Sequence, residues 1–460
     1  MSIKLSFYHV ATEPFFDELE GRIKRVILAT RTASVRIIDE FSWNLLESGQ
    51  FEQLPEDFLI DLANIELIVP ADEDELKTIL AQNDTVAKNN DDLYLVIQPT
   101  AYCQLGCHYC GQEHKSKMMS EADQQRFIER TRSKLETGKF SSLSIGWFGA
   151  EPLVGLPVIR SLSPQLQALA ASFGCSYSAK IVTNGLALTH HVATELVNDF
   201  KVNFIEVTLD GVAEYHNARR MQKSGLPTFD KIFANVTNLA RREDLQVKLN
   251  IRCNVDHQNY ESVSLLLEQL AAEGIQDKIG FYVAPIHSWG NDAHTRSLSK
   301  EEFGEWEIAW FGEMVELGFR PILIPDRKPI VCLALMPNSE LVDAYGNVFN
   351  CSEVSYVPTY GTPNEYAIDH LTGKEMPGKR DRLGNFNQQV RQGEFPCSNC
   401  PMLPVCGGGC PKSWLEAIAP CPSAKYNIKD RLLLTYALSR IEQTKETQGA
   451  TEENLSVAYQ

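Results

Sequence analysis

No run of about 18 apolar residues occurs in the 460-residue chain, so no membrane-spanning helix and no membrane partner are expected. The opening stretch, Met1 to Val10, lacks the apolar core of a secretory signal, and a cytoplasmic location is expected. A basic excess is missing too. The 43 Lys and Arg are outnumbered by 60 Asp and Glu, for a net charge of −17. Proteins that grip a phosphate backbone usually carry a basic surface, so nucleic acid is not an expected partner. A peptide or a small molecule suits the chain better. Internal repeats and low-complexity blocks are also absent.

Cysteine, by contrast, is plentiful, with 12 residues. In a cytoplasmic chain these read as metal ligands or reactive thiols before disulfides. Ten fall into spaced sets. Cys175 and Cys253 stand alone in or near apolar segments and read as small buried hydrophobes.

The patterning divides the chain. Residues 1–90 read as a small α+β unit. Val26–Thr30 and Ser34–Ile38 form paired strands, helices follow near 40–48 and 55–64, Ile65–Val69 is a further strand, and Glu73–Leu80 is an amphipathic helix. Polar residues 87–92 read as a linker. Over 91–320 six apolar runs alternate with helical stretches: Leu93–Gln98, Ser142–Phe148, Ser178–Val182, Asn203–Leu209, Gln246–Val255 and Lys278–Ile286. That alternation predicts an α/β fold with parallel strands and right-handed crossovers, closing as a partial (β/α)6 barrel. Residues 321–435 hold seven cysteines and many turn residues. Residues 430–441 read as a helix that ends in a polar tail over 436–460, expected to lack fixed structure from about 444.

The first cysteine set, Cys103, Cys107 and Cys110, has C-x3-C-x2-C spacing. It offers three thiolates where a cubane iron–sulfur cluster normally takes four, so one iron would keep a position open for a substrate or cofactor. Spacing alone also allows a partial zinc site, or a redox pair with a bystander. With Tyr109 before the last Cys, the string resembles the signature of the radical S-adenosylmethionine (SAM) superfamily. Later strand ends extend the resemblance. Phe148-Gly-Ala-Glu-Pro152 stands where that family usually has Gly-Gly-Glu-Pro, with Ala150 replacing the second Gly. Such a change is mild if φ is negative and serious if φ is positive. Thr183-Asn-Gly185, then Thr208-Leu-Asp-Gly211 followed by His216 to Arg220, also fit. Gly225–Asp230 reads as a helix start capped by Thr228.

The resemblance implies SAM contacts at Tyr109, Gly149, Ala150, Glu151, Thr183, Asn184 and Thr208, with Arg220 meeting the SAM carboxylate. Read without it, Asp210 makes an Asx-type turn and Arg219-Arg220 is a solvated basic pair. The family's chemistry is one-electron cleavage of SAM to a 5′-deoxyadenosyl radical that abstracts a hydrogen atom, and a barrel mouth keeps that radical from water. Asp210 and His287 are the candidate bases. His287 lies in Val283-Ala-Pro-Ile-His-Ser-Trp-Gly-Asn291, where His, Ser, Trp and Asn are expected at the mouth. Glu113 and His114 read as loop scaffolding.

The second cysteine set is Cys332, Cys351, Cys397, Cys400, Cys406, Cys410 and Cys421. By spacing, Cys397, Cys400, Cys406 and Cys421 could form a zinc site. The set resembles the SPASM extension of radical SAM enzymes, with Asp343 to Cys351 as its hairpin. That resemblance implies two auxiliary [4Fe-4S] clusters: an outer one on Cys397, Cys400, Cys406 and Cys421, and an inner one on Cys332, Cys351 and Cys410. Asn338 stands where some relatives add a fourth inner Cys. Three clusters and SAM are therefore the expected cofactors. Related enzymes act on peptidyl substrates, so a ribosomally made precursor peptide and an electron donor such as flavodoxin or ferredoxin are expected partners. The module at 1–90 loosely resembles a winged-helix element that binds a leader peptide by strand addition. Two alternatives are a sulfatase-maturating type of enzyme and, from another class, a non-catalytic iron–sulfur carrier or zinc-stabilised peptide-binding module.

Overall fold

The structure is a computed structural model that describes residues 2–457, with side chains through Ile441. All six predicted barrel strands are present: Asp92–Ile97, Ser142–Trp147, Ser176–Thr183, Val202–Thr208, Lys248–Val255 and Ile279–Pro285. They pair in chain order and every pairing is parallel. Helices including Glu121–Leu135, Leu156–Ser172 and Phe229–Ala240 link them.

Strict alternation builds this sheet. Leu93, Leu95, Leu143, Ile145, Ile181, Ile205, Ile251 and Phe281 belong to one buried core with the helices. Burying each such side chain contributes ~2 kcal/mol. The residues between them have the opposite orientation, because successive strand side chains alternate faces. That second set is largely polar: Ser144, Ser178, Lys180, Glu206, Thr208, Asn250, Arg252, Asn254 and Tyr282. Polar partners hold it in place. Tyr282 donates to Glu206 at 3.1 Å and Lys180 Nζ stands 4.3 Å from the Tyr94 ring centroid.

The sheet does not stop at the first barrel strand. Glu340–Val342 pairs parallel to Asp92–Ile97, then antiparallel to Asn347–Phe349, which pairs with Asp369–His370. The predicted hairpin is therefore a direct extension of the barrel sheet. Its turn is built by Asp343, whose carboxylate accepts from the backbone N–H groups of Tyr345 and Asn347, each at 2.9 Å.

In the N-terminal region Arg22–Ala29 is central, pairing with Ser34–Asp39, His9–Ala11 and Phe15–Asp17. Helices Glu40–Glu47, Glu56–Asn64 and Glu75–Lys88 follow, the last running into the expected linker. Val26 and Leu28 pack with Met402, Val405, Ile428 and Leu432, and Thr30 donates to the Pro401 carbonyl at 2.6 Å. This unit is thus docked on the cysteine-rich region. The final helix is longer than its sequence pattern suggested, spanning Ala424–Val457 and taking in most of the tail expected to lack structure; residues 458–460 lie outside the described residues. Among the described residues no helix is long and apolar enough to cross a membrane.

Candidate active site

At the carboxyl ends of the strands a cavity of about 1000 Å³, counting its open mouth, is lined by Cys103, Cys107 and Cys110. Gly149, Ala150, Thr183, Asn184, Thr208 and Arg220 also line it, as do Arg252, Asn254, His287, Trp289 and Glu353. Five strand ends and the cysteine-rich region therefore converge on three thiols that the sequence places within eight residues.

The cysteine loop is tied to the fourth strand by Tyr109. Its hydroxyl donates to Asp210 Oδ2 at 2.6 Å and accepts from Arg220 at 2.5 Å and Asn254 at 3.1 Å. Burial opposes the charge of Arg220, but Cys107, Tyr109 and Asp210 outweigh it and hold the guanidinium protonated. Arg219 is also buried and pairs with Asp256 at 2.5 Å, so the adjacent arginines are not a solvated pair. Burial pushes the Cys103 thiol up to about 12 and Cys107 to about 11, the latter against Arg220. Ligation there would release protons, since a metal takes thiolates. Asn184 Nδ2 sits 3.7 Å from Cys103 Sγ.

Glu151 and Asp210 do not line this cavity. The Glu151 carboxylate is fully buried and accepts from the Thr183 hydroxyl (2.6 Å) and the N–H groups of Asn184 (2.7 Å) and Leu153 (2.9 Å). It fixes the third strand's end and leaves the cavity wall to Ala150, Thr183 and Asn184. Asp210, equally buried, accepts from Tyr109 and from the Asn254 N–H at 3.0 Å. Both acids position the residues that do face the cavity.

Two further expectations change. Ala150 has φ of 45°, the left-handed region, so the replacement of Gly is the costly case, worth ~1 kcal/mol. Its N–H is held by Gln112 Oε1 at 3.1 Å. Thr228 precedes its helix but its side chain does not cap it. The Thr228 hydroxyl instead donates to the Arg220 carbonyl, and Asn217 Oδ1 accepts from the N–H groups of Thr228 and Phe229.

His287 is half exposed, and its Nε2 lies 3.5 Å from Glu353 Oε2. Burial would raise the Glu353 carboxyl, but His287 and Arg252 outweigh it and hold the group below the usual carboxylate range. Of the four residues expected at the mouth, His287 and Trp289 line the cavity; Ser288 and Asn291 do not, and the Ser288 hydroxyl donates to the Asn291 carbonyl at 3.2 Å. Trp289 Nε1 donates to the Glu353 carbonyl at 2.7 Å, and Asn291 donates to the Tyr109 carbonyl at 3.2 Å. Gly111 permits this closure, since a Cβ there would sit 1.7 Å from the Trp289 carbonyl oxygen.

No family model matches the chain. A serine-type anaerobic sulfatase-maturating enzyme of Bacteroides thetaiotaomicron is 24% identical over 371 residues, spanning 70% of this chain and 83% of that protein. A cysteine-type anaerobic sulfatase-maturating enzyme of Clostridium novyi is 23% identical over 350 residues, spanning 69% and 87%. The solved structure of native anSMEcpe with bound AdoMet and Cp18Cys peptide shares the fold, with a TM-score of 0.54 and 18% identity over 77% of this chain and 99% of that one. Sequence likeness and shared fold both support the radical SAM reading of this chain.

The seven cysteines of the second set form two groups. Cys397, Cys400, Cys406 and Cys421 surround a separate cavity of about 380 Å³. Among the described residues no three His, Cys, Asp or Glu side chains converge on the geometry of a single ion. Cys410 lies near enough to Cys332 and Cys351 to add to burial, the main cause, in raising both thiols. The Asn338 carbonyl accepts from Lys134 at 3.3 Å. Cys175 and Cys253 are buried in the barrel core, as expected.

Several cavity residues had no signal in the sequence reading. Glu353 follows Cys351 in a loop, and Arg252 and Asn254 are revealed only by strand phase. His114, read as scaffolding, lines the cavity with Nε2 3.9 Å from Cys110 Sγ.

Proposed function

We propose that this radical SAM enzyme is a SPASM-type maturase that modifies a peptidyl substrate. One observation carries the reading: three thiols, the polar strand ends and Arg220 share a single cavity at the barrel mouth. The donor set fits a site-differentiated cubane cluster at Cys103, Cys107 and Cys110, with auxiliary clusters on the outer four and inner three cysteines. When bound, that cluster and SAM supply the electron and the 5′-deoxyadenosyl radical that take a hydrogen atom from an unactivated carbon. Arg220 offers the SAM carboxylate a charged donor, and Gly149, Ala150, Thr183, Asn184 and Thr208 shape the wall beside it. Trp289, seated on Gly111, limits water access. His287, paired with Glu353, is the group best placed to accept a substrate proton.

The substrate reading is a precursor peptide held at two places. The strand Ser34–Asp39 pairs only with Arg22–Ala29 among the described residues, and Ile37 and Phe41 are exposed beside it. An unpaired edge with flanking apolar side chains supports leader binding by strand addition. The solved sulfatase-maturase structure is matched over 99% of its length by 77% of this chain, so this chain carries substantial additional sequence. A second reading, oxidation of one Ser or Cys in a sulfatase, is at least as well supported by the names of the two relatives.

Anaerobic incubation with a precursor peptide encoded beside this gene, and separately with Ser- and Cys-containing sulfatase peptides, followed by mass spectrometry, separates them. Cross-linking or oxidation removes about 2 Da, the mass of two hydrogens. Modification of the sulfatase peptides alone would replace the first reading with the second.

A further inference from the structure

The two auxiliary thiol groups differ in the charge beside them. Near the inner trio, Lys412 is buried and neutralised by Glu416, whose carboxylate is 2.8 Å from Nζ. Glu353, two residues past Cys351, adds a carboxylate on that side. Beside the outer four, Lys425 has a different situation. Its Nζ lies 3.7 Å from Cys421 Sγ, and its side chain lines the same cavity as Cys397, Cys400, Cys406 and Cys421. Among the described residues no carboxylate stands within 4.0 Å of it. Its position is also one that helix formation disfavours. Lys425 is in the first turn of Ala424–Val457, where the helix dipole repels a cation. A second donor reaches the group, since the Gly408 N–H points at Cys406 Sγ at 3.2 Å.

We propose that Lys425 is a positioning residue that raises the reduction potential of the outer cluster, through a charged hydrogen bond to the Cys421 sulfur. This rests on the reading that the outer four cysteines hold an iron–sulfur cluster. Potentials of such clusters respond to net charge, hydrogen bonds to sulfur and solvent exposure. A four-thiolate cubane is anionic and gains another negative charge on reduction. A cation at a ligand sulfur therefore stabilises the reduced form more than the oxidised one. In a chain of net charge −17 the surrounding field pushes the other way.

The test is an EPR-monitored redox titration of the full chain, reconstituted without oxygen, with iron measured in each sample. Lys425→Met keeps the side-chain bulk and removes the charge. It should shift the outer midpoint to a more negative potential and leave the other two centres where they were. Lys425→Arg should restore the wild-type value, and Lys425→Gln, which keeps a donor without the charge, should fall between. An unchanged outer midpoint in both neutral variants at full iron content overturns the proposal. If Lys425→Met loses the cluster, the Gln variant decides alone. Wild-type protein with only about eight irons and no third cluster signal would overturn the four-thiol reading, and the proposal with it.

Discussion

Tyr109 and Asp210, 101 residues apart, are joined by a 2.6 Å hydrogen bond from phenol to carboxylate. This contact locks the cysteine loop to the end of the fourth barrel strand. It also orients Arg220, which donates to the same hydroxyl. The aromatic before the third cysteine thus has a polar task as well as a packing one.

Tyr109→Phe removes that hydroxyl and leaves Asp210 and Arg220 each short of a buried partner. We expect a loss of about 1–3 kcal/mol in folding stability by anaerobic urea titration. Iron content should hold, because the phenol is not a ligand. SAM affinity should weaken, since Arg220 loses the contact that aims it.

Ala150→Gly should stabilise the protein by about 1 kcal/mol, because glycine takes the φ of 45° without steric cost. Ala150→Val should destabilise it by more than that amount, a β-branched side chain being the worst fit to the left-handed region. Thermal unfolding of the three forms checks the order.

His216 is fully buried, with Nδ1 accepting from the Asp210 N–H at 3.2 Å and Nε2 against Thr228. Burial first, and Arg220 second, lower its pKa from 6.5 to about 3. In the unfolded chain the imidazole takes a proton below 6.5; in the folded chain it does so only near 3. The unfolded state binds more protons in that window, so this group's contribution is complete above pH 6.5 and is lost as pH falls toward 3. The slope of stability against pH between 4 and 6 should be shallower in His216→Gln than in wild type.

His287→Asn separates substrate chemistry from SAM cleavage. His287 is half exposed, and among the described residues it has no hydrogen bond to the loop that carries the three thiols. Substrate-free release of 5′-deoxyadenosine should therefore persist. Product formation should fall roughly a hundredfold if the imidazole is the proton acceptor. Equal loss of both activities would assign His287 a structural role instead.

Much of this site could be read from strand ends. In the barrel, apolar side chains recur at every second position because one face is buried against helices, so all six strands and the motifs just past the second, third and fourth were legible. Ile3–Leu5, His9–Ala11 and Phe15–Asp17 were not, since three residues hold too little alternation to register. The sign of φ at Ala150 was undetermined by its identity; in the fold its N–H is held by Gln112, far from it in the local pattern. Thr228 was a sound cap by residue type, yet Asn217, eleven positions upstream, had the better reach. Glu353 was invisible because its importance comes from the hairpin folding onto the barrel edge, a pairing 245 residues apart in sequence: Glu340 opposite Leu95 and its neighbours.

The central claim is that Cys103, Cys107 and Cys110 hold a cluster whose open iron takes SAM. The direct measurement is chromatographic detection of 5′-deoxyadenosine from oxygen-free, iron-reconstituted protein given SAM and dithionite, beside Cys107→Ala prepared the same way. Wild type should contain about 12 irons and release 5′-deoxyadenosine, while Cys107→Ala should lose about four irons and release none. Iron-replete wild type that yields no 5′-deoxyadenosine, or a Cys107→Ala variant that yields as much, would contradict the account.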